Sequence, residues 1–127
     1  MVKAKSRKKV RRSVPHGMVH VKATYNNTII TLTDEKGDVL GWSSSGANGF
    51  KGPRKATPYA AQTNAEKVAQ VANLYGVQSV DVLVKGVGSG REQAIRGIEA
   101  NGITITSITD MTPMPHNGCR RKKPRRV

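Results

Sequence analysis

The side chains in this chain that could do chemistry are few, scattered and mostly cationic. His16, His20, His116 and Cys119 are the potential ligands for a soft metal, but one thiol and three imidazoles spread over both ends lack the regular spacing of a zinc site. Paired carboxylates for metal-assisted hydrolysis would have to come from Asp34, Glu35 and Asp38 in one turn, or from Asp81 and Asp110, far apart along the chain. Gly86-Val87-Gly88-Ser89-Gly90-Arg91 opens like a dinucleotide fingerprint, yet Arg91 stands where the third glycine belongs and no Gly-Lys-Ser/Thr follows. What remains is phosphate binding: Lys and Arg number 22 against 8 Asp and Glu, for a net charge of +14.

Those cations are not spread evenly. Lys3, Lys5, Arg7, Lys8, Lys9, Arg11 and Arg12 crowd a basic N-terminal arm, residues 1–14, and Arg120, Arg121, Lys122, Lys123, Arg125 and Arg126 crowd a C-terminal tail, residues 115–127, neither with an acid. Segments of that charge density bury too little apolar surface to offset the entropy of ordering, so both are expected to be disordered until they meet a polyanion. The body between them, residues 15–114, is nearly neutral. An extended 12-residue tail would reach about 40 Å at roughly 3.3 Å per residue. A neutral body with polycationic ends is suited to nucleic acid; arms alone would serve equally for a sequence-indifferent DNA binder or a membrane-surface binder.

The 127 residues leave room for one domain with one core. A lone Cys119 excludes an internal disulfide framework, and no apolar run approaches the roughly 20 residues of a membrane span. The basic start is followed by no apolar stretch and does not read as a secretory signal, so a soluble, reducing compartment is expected.

Hydrophobic periodicity supplies the elements that must position the loops. Met18 to Tyr25 alternates as a strand, Asn26-Asn27 turns the chain, Thr28 to Thr33 returns, and Val39 to Ser45 forms a third strand beyond the acidic turn Asp34 to Asp38. A glycine-rich basic loop from Gly46 to Ala56 leads to Thr57-Pro58, a helix start, with Ala61, Ala65, Val68, Ala72 and Tyr75 on one face. Gln78 to Val84, a second glycine loop from Lys85 to Gly90, a helix from Arg91 to Ala100 and a strand from Ile103 to Thr109 complete β-β-β-α-β-α-β. This is a single α/β domain built on a five-stranded mixed sheet of ribonuclease H-like order. Enzymes of that architecture need converging acids; the first strand has none and only Asp81 and Asp110 fall near the loops, so catalysis is not expected.

In that order the two glycine loops, the Asn26-Asn27 turn and the tail all fall on the carboxyl edge of the parallel strands, where open α/β sheets bind ligands. The acidic turn and the N-terminal arm fall on the other. Arg54 and Lys55 precede one helix and Arg91 opens the next, which opposes the helix dipole by about 0.3–1 kcal/mol each unless a phosphate sits there. One phosphate near each helix start is therefore expected. Trp42, Phe50 and the tyrosines read as too few and too spread for a base-stacking platform, and all but Phe50 as core.

The chain resembles the small-subunit ribosomal protein eleven family along almost its full length. The resemblance rests on Ala23-Thr24-Tyr25-Asn26-Asn27-Thr28, on Gly41-Trp42 with Gly49-Phe50-Lys51-Gly52, and on Arg54 to Gln62. It continues in the glycine run from Gly86 to Glu92 and in Asp110-x-Thr112-Pro113-x-Pro115-His116-Asn117-Gly118-Cys119-Arg120. It implies a non-enzymatic, cofactor-free component of the small ribosomal subunit platform that binds small-subunit ribosomal RNA. It further implies ribosomal proteins seven, eighteen and twenty-one as neighbours, messenger RNA nearby, and a cytoplasmic or organellar ribosome. Carried over by position, Asn26, Asn27, Lys51, Gly52, Arg54, Lys55, Gly88, Ser89, Gly90 and Arg91 would face RNA. So would His116, Asn117, Gly118, Arg120, Arg121, Lys122, Lys123, Arg125 and Arg126 in the tail. Lys8, Lys9, Arg11 and Arg12 complete the set from the N-terminal arm.

Overall fold

Alternation between apolar and polar residues builds the first strand, β1 (His16–Ala23), in which Gly17, Val19, Val21 and Ala23 are buried and the residues between them are not. A computed structural model describes residues 13–126. After β1 come β2 (Thr28–Asp34), β3 (Val39–Ser44), a 3-10 turn (Gly52–Ala56) and α1 (Pro58–Leu74), then β4 (Ser79–Lys85), α2 (Arg91–Ala100) and β5 (Thr104–Asp110). The five strands form one mixed sheet in the order β3-β2-β1-β4-β5. β2 is antiparallel to both β1 and β3, and β1 runs parallel to β4 as β4 does to β5. The α/β domain expected from periodicity is the one found, and no helix among the described residues is long and apolar enough to cross a membrane.

Strand limits shift by a residue or two, and at β1 the cause is a threonine. Thr24 N–H donates to Asn27 O at 2.8 Å, and Thr24 Oγ1 accepts from the backbone of Asn26 and Asn27. The turn thus takes over one residue after Ala23, and Tyr25, expected in the strand, stands at its tip.

Both helices cover one face of the sheet. The Thr57 hydroxyl accepts from Ala60 N at 3.2 Å and starts α1, with Pro58 at the first helical position. Ala61, Ala65, Val68 and Ala72 of α1, with Ala94 and Ile98 of α2, meet Val19, Val21, Ile30, Leu32, Val80, Val82 and Val84 of the sheet in one cluster. The two helices touch where both lack bulk: a Cβ on Gly97 would lie 2.7 Å from Ala65 Cβ.

Strand register corrects one sequence expectation. Trp42, Tyr25 and Tyr59 are not core residues; they are 61, 80 and 69% exposed. Gly41 and Ser43 pair with the helix-facing Leu32 and Ile30, so Trp42 between them stands on the other face of the sheet; Tyr25 is on the β1–β2 turn and Tyr59 on the exposed side of α1. Of the rings read as core, Tyr75 alone packs partly against it.

Replacing Gly97 by Ala tests how firmly the helix spacing is set. Alanine gains about 0.8–1 kcal/mol of helix propensity, whereas forcing a methyl against Ala65 costs about 1–3 kcal/mol. The net expectation is a loss of about 1 kcal/mol in urea unfolding followed by Trp42 fluorescence; a gain in stability would show that the helices can separate freely.

Candidate nucleic-acid interface

The carboxyl ends of β1, β3, β4 and β5 share one edge, where the two loops and the start of the tail are hydrogen-bonded to one another and rest against the β1–β2 turn. The second glycine loop lies directly on the β1–β2 turn. A Cβ at Gly86, where φ is +94°, would collide with Ala23 O, and one at Gly88 would lie 2.6 Å from Thr24 O. Glycine at these positions serves close backbone approach. The next residue, Ser89, donates its hydroxyl to Ala56 O and so ties the second loop to the first.

Beneath the first loop lies a buried amide that sequence reasoning missed. Asn64 of α1 is wholly enclosed; its Nδ2 donates to Thr28 O and to Ser45 Oγ, both at 3.0 Å, and its Oδ1 accepts from Asn48 Nδ2. Asn48 Nδ2 also reaches Ser43 Oγ at 2.9 Å. The signal was present, since Asn64 interrupts the apolar face of Ala61, Ala65 and Val68, and a polar residue there needs partners. The Thr28 hydroxyl, by contrast, is buried with no hydrogen-bond partner.

The start of the tail is fastened to the second loop. Arg91 donates from one guanidinium nitrogen to Gly86 O at 3.1 Å and from the other to Asp110 Oδ2 at 2.8 Å. Asp110 Oδ1 accepts from Thr112 N at 3.0 Å and from the Thr112 hydroxyl, whose oxygen accepts from Gly86 N at 3.1 Å. Bonds from Thr112, and then the Arg91 guanidinium, pull the Asp110 carboxyl down to about 2. This changes the reading of Arg91. Its unfavourable place at a helix start is answered inside the protein by Asp110, and by Glu92 in the first turn of α2, so the dipole argument no longer calls for a phosphate there.

At the first loop the expectation keeps its force. Lys51 and Arg54 are exposed and Lys55 is half-buried, and neither ion pair found among the described residues, His16–Asp81 and Arg91–Asp110, involves them. Two further cations went unremarked in the sequence: Lys22 and Lys85, both exposed, lie side by side where β1 and β4 end. Like charges on neighbouring strands repel; their place at strand ends was the available signal. Asn26 is exposed on the turn, and Asn27 Oδ1 accepts from Thr28 N at 2.8 Å, which holds the turn's shape. Residues 116–126 of the tail are exposed, with Asn117 at φ 60°.

At the opposite edge Asp34 Oδ1 accepts from the backbone of Lys36 and Asp38, each at 2.9 Å, closing the acidic turn. Ser13 to His16, where the described chain begins, line a shallow cavity with Asp34, Glu35 and Lys36. The arm residues Lys8, Lys9, Arg11 and Arg12 lie outside the described residues. Asp81, expected near the loops, is instead the third residue of β4, toward this edge; hydrogen bonds from His16 at 3.1 Å and Ser107 at 2.9 Å hold its carboxyl below the ordinary range. Asp81 and Asp110 thus belong to separate networks. Among the described residues no three His, Cys, Asp or Glu gather as a metal site.

The family model described as ribosomal protein S11 matches residues 17–126. The chain is also 52% identical over 122 residues to the small ribosomal subunit protein uS11 of Wigglesworthia glossinidia brevipalpis, an alignment covering 96% of this chain and 93% of that one.

The Asp110 network makes a prediction about acid. A carboxyl held at about 2 when folded and near the ordinary 3.8 when unfolded contributes stability that is complete above about pH 4 and lost as pH falls through 2. In full-length protein the Thr112 amide proton resonance should titrate with a midpoint near 2. A midpoint near 4 would mean that the tail is not fastened.

Proposed function

The chain belongs to the ribosomal protein S11 family, structural components of the small ribosomal subunit and not enzymes, and from that premise we propose that it binds small-subunit ribosomal RNA through its loop edge and basic ends. One observation carries this reading. The two glycine loops and the tail root are hydrogen-bonded together and packed on the β1–β2 turn, making one edge that bears Lys51, Arg54, Lys55, Lys22 and Lys85, while the acidic turn is at the far edge.

The proposed mechanism is assembly. The first loop, whose shape is set from below by Asn64, offers a phosphate site between Arg54, Lys55 and the start of α1. Asn26, Asn27, Gly52, Gly88 and Ser89 shape the surface along which the RNA backbone runs, while Gly90 is buried beneath it against Thr28 and Ala61. His116 to Arg126 extend from the same edge, and the arm bearing Lys8, Lys9, Arg11 and Arg12 joins the body near the other, so the basic ends would neutralise phosphates on two sides of the domain. Following the family resemblance, the place proposed is the subunit platform, beside ribosomal proteins seven, eighteen and twenty-one and near the path of messenger RNA.

Binding to folded small-subunit ribosomal RNA and to duplex DNA of equal length, each over a salt series, tests this reading. If six to ten cations contact phosphate, affinity should fall by about 10³–10⁵ between low and moderate salt, with the ribosomal RNA preferred throughout. Arg54→Gln with Lys55→Gln should flatten the log–log salt slope by about 0.7–0.9 for each phosphate no longer neutralised; an unchanged slope would remove the phosphate site. Truncation after Asn117 should leave the Trp42 fluorescence of the folded body intact while blocking incorporation into subunits. Normal incorporation of the truncated chain would make the tail dispensable.

A further inference from the structure

The rings outside the core are not randomly placed. Phe50, in the first glycine loop, and Tyr59, in the first turn of α1, pack edge to face with centroids 5.8 Å apart and planes at 76°. Tyr59 is 69% exposed, and Tyr25, 80% exposed, stands on the neighbouring turn of the same edge. Lys51 follows Phe50 directly, and Arg54 and Lys55 lie between the two rings in sequence.

We propose that the Phe50–Tyr59 pair is a stacking site for a single unpaired nucleobase, so that the loop edge recognises an RNA segment with a base turned out of its helix. The proposal rests on the RNA-binding reading and adds the chemistry of one subsite to it. Three observations select a base over other occupants. An aromatic face open to solvent is a large apolar surface with a negative quadrupole, suited to stacking against a base. Its surroundings are cationic: of the acids near this edge, Asp110 is paired with Arg91 and Glu92 lies in the first turn of α2. An apolar protein segment gains nothing from that charge, whereas a nucleotide supplies ring and phosphate together.

The pair is also pre-organised. The loop backbone under Phe50 is held by Phe50 N to Ser45 O at 3.1 Å, and Ser45 in turn is bonded to the buried Asn64. Tyr59 belongs to a helix turn capped by Thr57. Its ring therefore meets a base with little ordering left to do. Two rings are too few for the platform of a single-strand reader that stacks several bases in succession, but they suffice for one.

Stacking and phosphate contacts differ in their response to salt, which separates them in one experiment. Full-length Tyr59→Ala, Phe50→Leu and Tyr59→Phe proteins, each checked for folding by Trp42 fluorescence, are titrated with folded small-subunit ribosomal RNA over a salt series. Tyr59→Ala is expected to weaken binding by about 5- to 150-fold at every salt concentration with the slope unchanged. Phe50→Leu should weaken it less, and Tyr59→Phe should bind within about twofold of the parent, because the ring and not the hydroxyl stacks. Tyr59→Ala binding like the parent would overturn the stacking site while leaving the RNA-binding reading intact. So would a loss confined to the slope, or Tyr59→Phe as weak as Tyr59→Ala. Failure of the parent protein to prefer ribosomal RNA over duplex DNA would overturn the RNA-binding reading and the subsite with it.

Discussion

A buried side-chain amide must find partners for its polar atoms, and Asn64 finds them in the segments that shape the loop edge. Its donors reach the first residue of β2 and the serine just past β3, and its acceptor takes the amide of Asn48 in the first loop. Removing those partners would leave a desolvated amide at a cost of about 1–3 kcal/mol. The loop therefore has one low-energy position relative to α1. Everything that depends on the loop, including the placement of Phe50 against Tyr59 and the spacing of Lys51 from Arg54, inherits that position.

The same logic operates in the second loop with backbone in place of side chain. Gly86 and Gly88 sit where any Cβ would collide with carbonyl oxygens of Ala23 and Thr24, so the loop rests on the turn. Arg91, Asp110 and Thr112 then close a ring of hydrogen bonds around Gly86. Charge at this point is consumed by the protein itself, and charge at the first loop is not. Two loops that look alike in sequence, glycine-rich and ending in cations before a helix, thus take different parts: one is a joint, and the other is left with its cations facing outward.

Much of this was legible in the sequence because the governing patterns are local. Period-two alternation located five strands, the Thr57-Pro58 start and the alanine face located α1, and the alternation of strands and helices put the loops on one edge. What was not legible depends on contacts between distant segments. Nothing near Arg91 in the chain announces Asp110, 19 residues on, as its partner. That Trp42 faces away from the helices follows from the pairing of β3 with β2, which sets Gly41 and Ser43 opposite Leu32 and Ile30. Lys22 and Lys85 become neighbours only through the parallel pairing of β1 with β4. Asn64 was the exception, a misfit visible in the pattern.

A polycationic chain without a body would bind any polyanion and release it with salt. Fixing a few groups on a rigid edge changes the kind of binding, because contacts made by pre-positioned groups carry little ordering cost, while flexible segments lose entropy when they bind. On the proposed RNA-binding reading, the edge is the part that distinguishes one RNA shape from another, and the basic ends add affinity of little selectivity that is strongly sensitive to salt. The near-neutral body is consistent with this division. Because most of the 22 cations lie in the two ends of the sequence, the stretch between them avoids the self-repulsion that a net charge of +14 would impose on a packed structure of this size. It can then hold its remaining free cations close together where the loops meet.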